Sequence, residues 1–232
     1  MKWIYTDEKP LMVFEAFSGY GAMSLALKYI GIPHRVVGIS EIEPNAIKAY
    51  MSLHDGEDIT NYGDISKVDW GKVPDFDLLN WSSPCQDYSN AGLQRGGEEG
   101  SGTRSSLIWE LKRCLETKRP KYVLTENVKS LVSDKFRPGF LAYCRYMEEM
   151  GYTTFNKVID SAKMGIPQHR ERIFVVSILG ESWYNFPQEQ ELKLKLKDML
   201  EEKVDERYYL DDKKVAEFIG NLDKEKIKKI VE

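Results

Sequence analysis

The sequence is poor in cysteine, histidine and long apolar runs, and it has no excess of basic residues. Only 3 cysteines and 3 histidines occur in 232 residues. An odd number of thiols with no C-x-x-C pair argues against a disulfide framework and against a structural zinc site. The histidines, His34, His54 and His169, lack ligand spacing, so no metal is assigned. No stretch approaches the roughly 18 uninterrupted apolar residues of a membrane span, and the opening residues lack the apolar core of a signal peptide. An intracellular, cytoplasmic protein without a membrane segment is therefore expected. With 33 basic against 37 acidic side chains the formal net charge is −4, which gives the chain no bulk electrostatic reason to bind nucleic acid. What is present is ordinary for a folded protein: 42% hydrophobic, 12% aromatic and 30% charged residues, enough to enclose a substantial core.

Strand-like and helix-like segments alternate along most of the chain. Leu11 to Phe17 reads as a strand, and Met23 to Ile30 as a helix closed by Gly31. A strand at Val36 to Ile39 and a helix from Pro44 to Leu53 follow. The next segments are a strand from Phe76 to Trp81, a helix from Ser105 to Thr117, a strand from Tyr122 to Thr125 and a helix from Gly139 to Met150. Thr153 to Ile159 and Arg172 to Leu179 form a terminal antiparallel pairing. This alternation predicts an α/β fold with a mostly parallel, Rossmann-like sheet covered by helices, and ligands at the carboxyl ends of its strands. Two segments depart from the pattern. Residues 87–106 form a polar, glycine-rich loop long enough to serve as a lid. From Phe186 about half the residues are charged, which predicts exposed amphipathic helices or a docking arm. The predicted division is a catalytic domain over 1–185 and a charged extension over 186–232.

Chemistry-bearing residues fall at the predicted strand ends. Phe17-Ser18-Gly19-Tyr20-Gly21 places a G-x-G turn between a strand and a helix, where a cofactor can approach the backbone; a tight β-α turn explains the glycines as well. About 20 residues on, Glu41 stands where a carboxylate accepts from ribose hydroxyls, while Glu43, before Pro44, also suits a helix N-terminus. Asp64 follows where a third strand would end and can accept from an adenine amino group, or can be a turn aspartate. Cys85, in Ser82-Ser83-Pro84-Cys85-Gln86, lies at a strand end beside the glycine-rich loop, the position of an attacking thiolate. Cys114 and Cys144, inside predicted helices, read as core residues. Glu126, at the end of the neighbouring strand, should converge on Cys85 as a proton donor. Gln168-His169-Arg170-Glu171-Arg172 crowds two arginines at a strand start, for surface ion pairs or for contact with phosphate or base.

Taken in order, Phe17-Ser18-Gly19-Tyr20-Gly21, Glu41-Ile42-Glu43, Gly63-Asp64-Ile65, Pro84-Cys85-Gln86, Arg104-Ser105-Ser106-Leu107, Glu126-Asn127-Val128 and Gln168 to Arg172 resemble the cytosine-C5 DNA methyltransferases. The resemblance covers about residues 11 to 180. It implies the fold of S-adenosyl-methionine-dependent methyltransferases, with that cofactor over Phe17, Ser18, Gly19 and Gly21. Its ribose would lie on Glu41 and its adenine against Ile42 and Ile65, bonded to Asp64, with Leu107 nearby. It also implies attack by Cys85 on C6 of a cytosine, Glu126 at N3, and Arg172 with Arg170 orienting the base. Gln86, Ser89 and Arg104 would belong to the loop that meets base and DNA. Double-stranded DNA is the implied substrate, its base flipped into the cleft with the glycine-rich loop closing behind it, as in restriction-modification systems.

The family's variable target-recognition region and final conserved segment do not follow the arginine motif, and Gly220-Asn221 is a poor match to the latter. The expectation is one subunit or fragment of a larger enzyme, with a second subunit carrying target recognition. Two rivals remain. A cytosine-C5 methyltransferase of transfer RNA uses the same thiolate chemistry, but its usual motif has a different residue after the Pro-Cys pair from Gln86. A cofactor-binding regulatory homologue without turnover would leave Cys85, Glu126 and Arg172 without a purpose.

Overall fold

The computed structural model describes residues 4–54, 59–88 and 95–220. A six-stranded sheet organises the chain, built from β1 (Leu11–Ala16), β2 (His34–Ser40), β3 (Leu78–Trp81), β4 (Tyr122–Val128), β5 (Tyr152–Asp160) and β6 (Glu171–Leu179), in the order β2-β1-β3-β4-β6-β5. The first four run parallel. β6 is inserted antiparallel between β4 and β5, so the expected mostly parallel sheet with a terminal antiparallel strand is what forms. The strand order reverses beside β1, and the crevice outside the carboxyl ends there is where such sheets take ligands.

Alternation along each strand feeds two cores. Phe14, Leu79, Val123 and Val175 face one side with Leu111 and Leu115 of α3 (Leu111–Lys118) and Phe140 and Met147 of α4 (Arg137–Glu149). Val13, Ile39 and Leu78 face the other, with Tyr50 of α2 (Pro44–Leu53) and, partly buried, Leu27 of α1 (Ala22–Tyr29). Leu79 is fully buried in the centre, and its truncation to alanine would cost about 2–5 kcal/mol through lost transfer energy and the cavity left behind.

A buried carboxylate ties these layers under the first turn. Glu15, only 2% exposed, accepts from Ser24 N–H at 3.0 Å, Ser24 Oγ at 2.9 Å, Tyr50 Oη at 2.6 Å and Asn80 Nδ2 at 3.4 Å. It joins β1, the start of α1, α2 and β3, and its four donors offset the cost of burying a polar group in β1.

Several local expectations are corrected. No strand ends at Asp64: Asn61 makes only an isolated bridge to Ile39. The Asn61 side chain replaces a ladder, its Oδ1 accepting from Glu41 N–H (3.1 Å) and Gly63 N–H (3.0 Å) while Nδ2 donates to the Glu41 carbonyl (3.0 Å). Gly63, at φ 69°, then turns the chain away. The helix expected from Ser105 begins as a 3-10 segment, Arg104–Glu110, capped by Thr103 and becoming α-helical only at Leu111.

The chain divides into two compact units between Leu192 and Lys193. Residues 186–192 stay with the sheet unit, where Gln190 N–H donates to the Lys163 carbonyl at 2.8 Å. Among the described residues of the second unit, the amphipathic helices expected after Phe186 are represented by α5 (Asp212–Gly220) and two 3-10 turns, Leu196–Met199 and Glu206–Tyr208. None of its described residues is buried. No helix among the described residues is long and apolar enough to cross a membrane.

Candidate active site

The carboxyl ends of β1 to β4 surround a cleft of about 670 Å³. Most of the residues singled out in the sequence line it: Phe17, Glu41, Ile42, Asp64, Ile65, Cys85, Gln86, Arg104, Leu107, Glu126, Arg170 and Arg172. A smaller cavity of about 300 Å³, which shares Phe17, Ser82 and Glu126 with it, takes in Ser18. Ser89 lies outside the described residues.

The end of β1 turns sharply. Phe17 adopts φ 54°, a left-handed backbone costing a non-glycine residue about 1–2 kcal/mol, and its ring packs edge-on against buried Trp81 at 5.3 Å. The two glycines that follow differ in what they do. A Cβ at Gly19 would meet nothing within 4 Å, leaving open space beside the turn. Gly21, by contrast, faces α2, where a Cβ would strike the rings of His54 and Tyr50. Its need for glycine is met by helix packing, and it does not line the cleft.

Glu41 is fixed by the backbone. Oε2 accepts from Gly19 N–H at 2.8 Å, and Oε1 from Ile42 N–H at 2.8 Å and Glu43 N–H at 2.9 Å. The carboxylate thereby joins the β1 and β2 turns and stands rigid at the rim of the cleft. Glu43 is the helix cap, accepting from Ala46 N–H at 2.7 Å as Pro44 opens α2. Asp64 caps the 3-10 turn Ile65–Lys67 through Ser66, whose two hydrogen bonds hold its carboxyl below the usual range.

Across the cleft, Pro84-Cys85-Gln86 is suspended from β4. Asn127, 2% exposed, donates from Nδ2 to the Ser83 carbonyl at 3.2 Å and accepts from Val128 N–H at 2.9 Å. Sequence reading named Asn127 within the Glu126-Asn127-Val128 motif but gave it no role; its adjacency to Glu126 on an alternating strand, which aims the two side chains to opposite faces, was the available signal. The other side of the loop is tied by Asp87. Its Oδ1 accepts from Arg95 Nε at 2.9 Å and its Oδ2 from Ser105 N–H at 3.2 Å, while Ser105 Oγ accepts from Asp87 N–H at 3.1 Å. Burial raises this acid, but the Arg95 and Ser105 bonds outweigh it and leave the carboxyl below the usual range. Both ends of the glycine-rich loop are thus clamped; residues 89–94, the heart of the expected lid, lie outside the described residues.

Glu126 and Arg172 form an ion pair, Nε to Oε1 at 3.1 Å, with both side chains about three-quarters covered. Burial pushes the Glu126 carboxyl up, against the pull of Arg172 and Arg170, and the net shift is upward. The cleft therefore holds a thiol, a carboxyl biased toward its protonated form, and a guanidinium fixed against that carboxyl. Such a set can add a nucleophile to an electrophilic ring while a proton is placed on the ring's far side. Among the described residues no group of three or more histidine, cysteine, aspartate or glutamate side chains forms a metal site.

The model of the C-5 cytosine-specific DNA methylase family matches residues 11–231. The chain belongs to that family. A type II methyltransferase, M2.ScrFI, of Lactococcus lactis subsp. cremoris is 38% identical over 89% of this chain and 72% of its own length. The orphan methyltransferase M.Rho11sI of Bacillus phage rho11s is 33% identical over 95% of this chain but 50% of its own length. This family member therefore spans between half and about three-quarters of those relatives. Among solved structures, an Entamoeba histolytica methyltransferase, EhMeth, superposes with a TM-score of 0.73 at 20% identity, covering 93% of this chain and 67% of that one. The Dnmt2 methyltransferase of S. pombe gives 0.68 at 23%, covering 91% and 66%. These two likenesses establish the fold.

Proposed function

We propose that this chain transfers a methyl group from S-adenosyl-methionine to C5 of cytosine in DNA through a covalent bond between Cys85 and the base. One observation carries the reading: Cys85, Glu126, Arg172 and the Glu41 turn open into a single cleft.

The residues present suit the donor. Gly19 and Gly63 leave space that a Cβ would enter, Glu41 is held rigid at the rim, and the hydroxyl of Ser18 is buried without a partner among the described residues. Phe17 and Glu41 would hold the ribose side, with Ile42, Asp64, Ile65 and Leu107 around the adenine. Bound there, the donor supplies an electrophilic methyl group on a sulfonium. The protein's part begins with Cys85, which as thiolate adds to C6 of the cytosine. Electron density moves through the ring toward N3, where Glu126 donates its proton or a hydrogen bond. C5 thus becomes the nucleophilic carbon. Arg172, braced on Glu126, and Arg170 orient the base and stabilise charge on the adduct. After methylation C5 gives its proton to a solvent base, the C6–S bond breaks as N3 returns its proton to Glu126, and the Cys85 thiolate is restored. A cytosine within a duplex cannot reach this cleft, so it enters extruded from the stack. A cleft of this size holds one base and its donor. Reading of neighbouring base pairs falls to protein surface outside this cleft.

The test is to incubate the chain, alone and with a candidate partner, with methyl-labelled donor and duplex DNA, and to digest the product to nucleosides. Label in 5-methyldeoxycytidine that is lost in Cys85→Ala is the expected result. Label in RNA only, or cofactor binding without transfer under any combination, would overturn it.

A further inference from the structure

The Asp64–Ile65 side of the cleft is not carried on a strand. Asn61 makes only an isolated bridge to Ile39, and the 3-10 turn that follows, Ile65–Lys67, is three residues long. On its amino side the turn is tied to β2 and the residue after it: Ser40 Oγ donates to the Gly63 carbonyl at 2.6 Å, and Asn61 Oδ1 accepts from Glu41 N–H at 3.1 Å. On its carboxyl side Arg113 of α3 provides an anchor. Nη1 donates to the Ser66 carbonyl at 2.8 Å and Nη2 to the Val68 carbonyl at 2.8 Å, while Glu110 Oε2 accepts from Nη1 at 2.9 Å and steadies the group. The rigid fork of a guanidinium suits two carbonyls at once; an ammonium, a point charge on a flexible stem, lacks that geometry.

Arg113 stands one helical turn past the 3-10 segment Arg104–Glu110. That segment carries Arg104 and Leu107 into the cleft, and at its start Ser105 is bonded to Asp87 beside the Cys85 loop. Seven residues is long for a 3-10 run, whose hydrogen bonds are poorer than those of an α-helix, so its placement depends on anchors at its ends. Asp87 secures the end near the thiol. Arg113 secures the end near the Ile65 turn, and so fixes the gap between Ile65 and Leu107, two apolar side chains placed around the adenine.

We infer that Arg113 is a positioning residue for the methyl donor: its guanidinium, which does not line the cleft, sets the width of the adenine pocket by tying the Ser66 and Val68 carbonyls to α3. This rests on the proposed function and its placement of the adenine. With the clamp in place the pocket is preformed, and donor binding does not have to order the turn. Without it the turn keeps its amino-side ties to the β2 end but loses its register against Leu107.

The test is titration of the full chain with S-adenosyl-homocysteine, followed by methyl-transfer kinetics, for wild type, Arg113→Met, Arg113→Lys and Lys118→Met. Arg113→Met keeps an aliphatic stem and removes the fork. Its dissociation constant is expected to rise about tenfold, the scale of a lost charged hydrogen bond, and that of Arg113→Lys by less. The KM for the donor should rise in step while kcat at saturating donor and the KM for DNA stay within about a factor of two, the pattern of lost ground-state binding. Lys118→Met breaks a different α3 ion pair, to Asp75 at 2.9 Å, and should leave the dissociation constant unchanged whatever it does to the melting temperature. Wild-type affinity in both Arg113 variants, or an equal loss in Lys118→Met, would overturn this inference and leave the proposed function standing. If Arg113→Met does not fold, Arg113→Lys against Lys118→Met decides in the same way. Wild-type chain that binds no S-adenosyl-homocysteine would overturn both this inference and the donor reading of the cleft.

Discussion

Arg172 Nε lies 3.1 Å from Glu126 Oε1, reaching from β6 to β4 across an antiparallel pairing that sets Val128 opposite Arg172. The strand inserted out of sequence order therefore delivers the cation to the Glu126 carboxyl. Burial raises the Glu126 pKa and Arg172 opposes the rise. In Arg172→Met the carboxyl should keep its proton to higher pH, so the limb of kcat/KM that falls as Glu126 ionises moves upward in pH. The rate itself should drop about 10²–10³-fold through loss of charge stabilisation on the base. Methyl-transfer rates across pH 5 to 9 give both readouts.

The same upward shift makes a stability prediction. A carboxyl whose folded pKa exceeds its unfolded value contributes fully below the unfolded value, and that contribution is lost as pH rises through the folded one. Glu126→Gln should therefore be as stable as wild type at pH 4. It should become the more stable of the two toward neutral pH while losing transfer activity, as expected where function is held at the expense of stability. Thermal melts of both proteins at pH 4 and pH 8 check the sign.

Asn127 is the positioning residue for the Cys85 loop. Asn127→Asp keeps an acceptor for Val128 N–H but removes the donor to the Ser83 carbonyl. A loss of about 1–3 kcal/mol is expected from a buried carbonyl left unpaired, together with slower thiol addition and little change in cofactor affinity. Urea denaturation, adduct formation rates and cofactor titration separate these effects.

Gly19 and Gly21 should respond differently. Gly21→Ala forces a Cβ into His54 and Tyr50 at φ 81°, so it should destabilise the fold by about 2 kcal/mol or more from strain and overpacking. Gly19→Ala meets no atom within 4 Å and should cost only the roughly 1 kcal/mol of a left-handed alanine, while weakening cofactor binding by filling the cradle. Denaturation midpoints and cofactor titrations on the two variants distinguish packing from binding.

The strand-helix alternation and the strand-end chemistry were legible in the sequence because both follow from periodicity and from where glycine, acid and thiol interrupt it. Glu41 and Cys85 follow β2 and β3 where they were expected, whereas Glu126 lies inside β4, which runs on past the expected end at Thr125 to Val128. What was hidden depends on side chains acting as backbone. Asn61 substitutes for a strand ladder, so no strand forms among the described residues 59–64; Asp87 and Asn127 suspend the Cys85 loop by bonds to residues 18 and 44 positions away. Glu15 looked like one polar residue in an apolar strand, and only the packing of α1, α2 and β3 around it supplies its four donors. Local propensity cannot show such long-range pairings, nor could it reveal that Gly21 serves helix packing.

The central claim is that the Cys85 thiolate bonds to cytosine. The most direct measurement is to incubate the chain, with and without a candidate recognition polypeptide, with S-adenosyl-methionine and duplex DNA carrying 5-fluorocytosine. Fluorine at C5 cannot leave as a proton, so the C6–S bond formed by Cys85 persists. A denaturation-resistant protein-DNA adduct, absent in Cys85→Ala and formed more slowly in Arg172→Met, is the predicted result. If no adduct forms with any combination of duplex and polypeptide, or if Cys85→Ala still forms one, the account is contradicted.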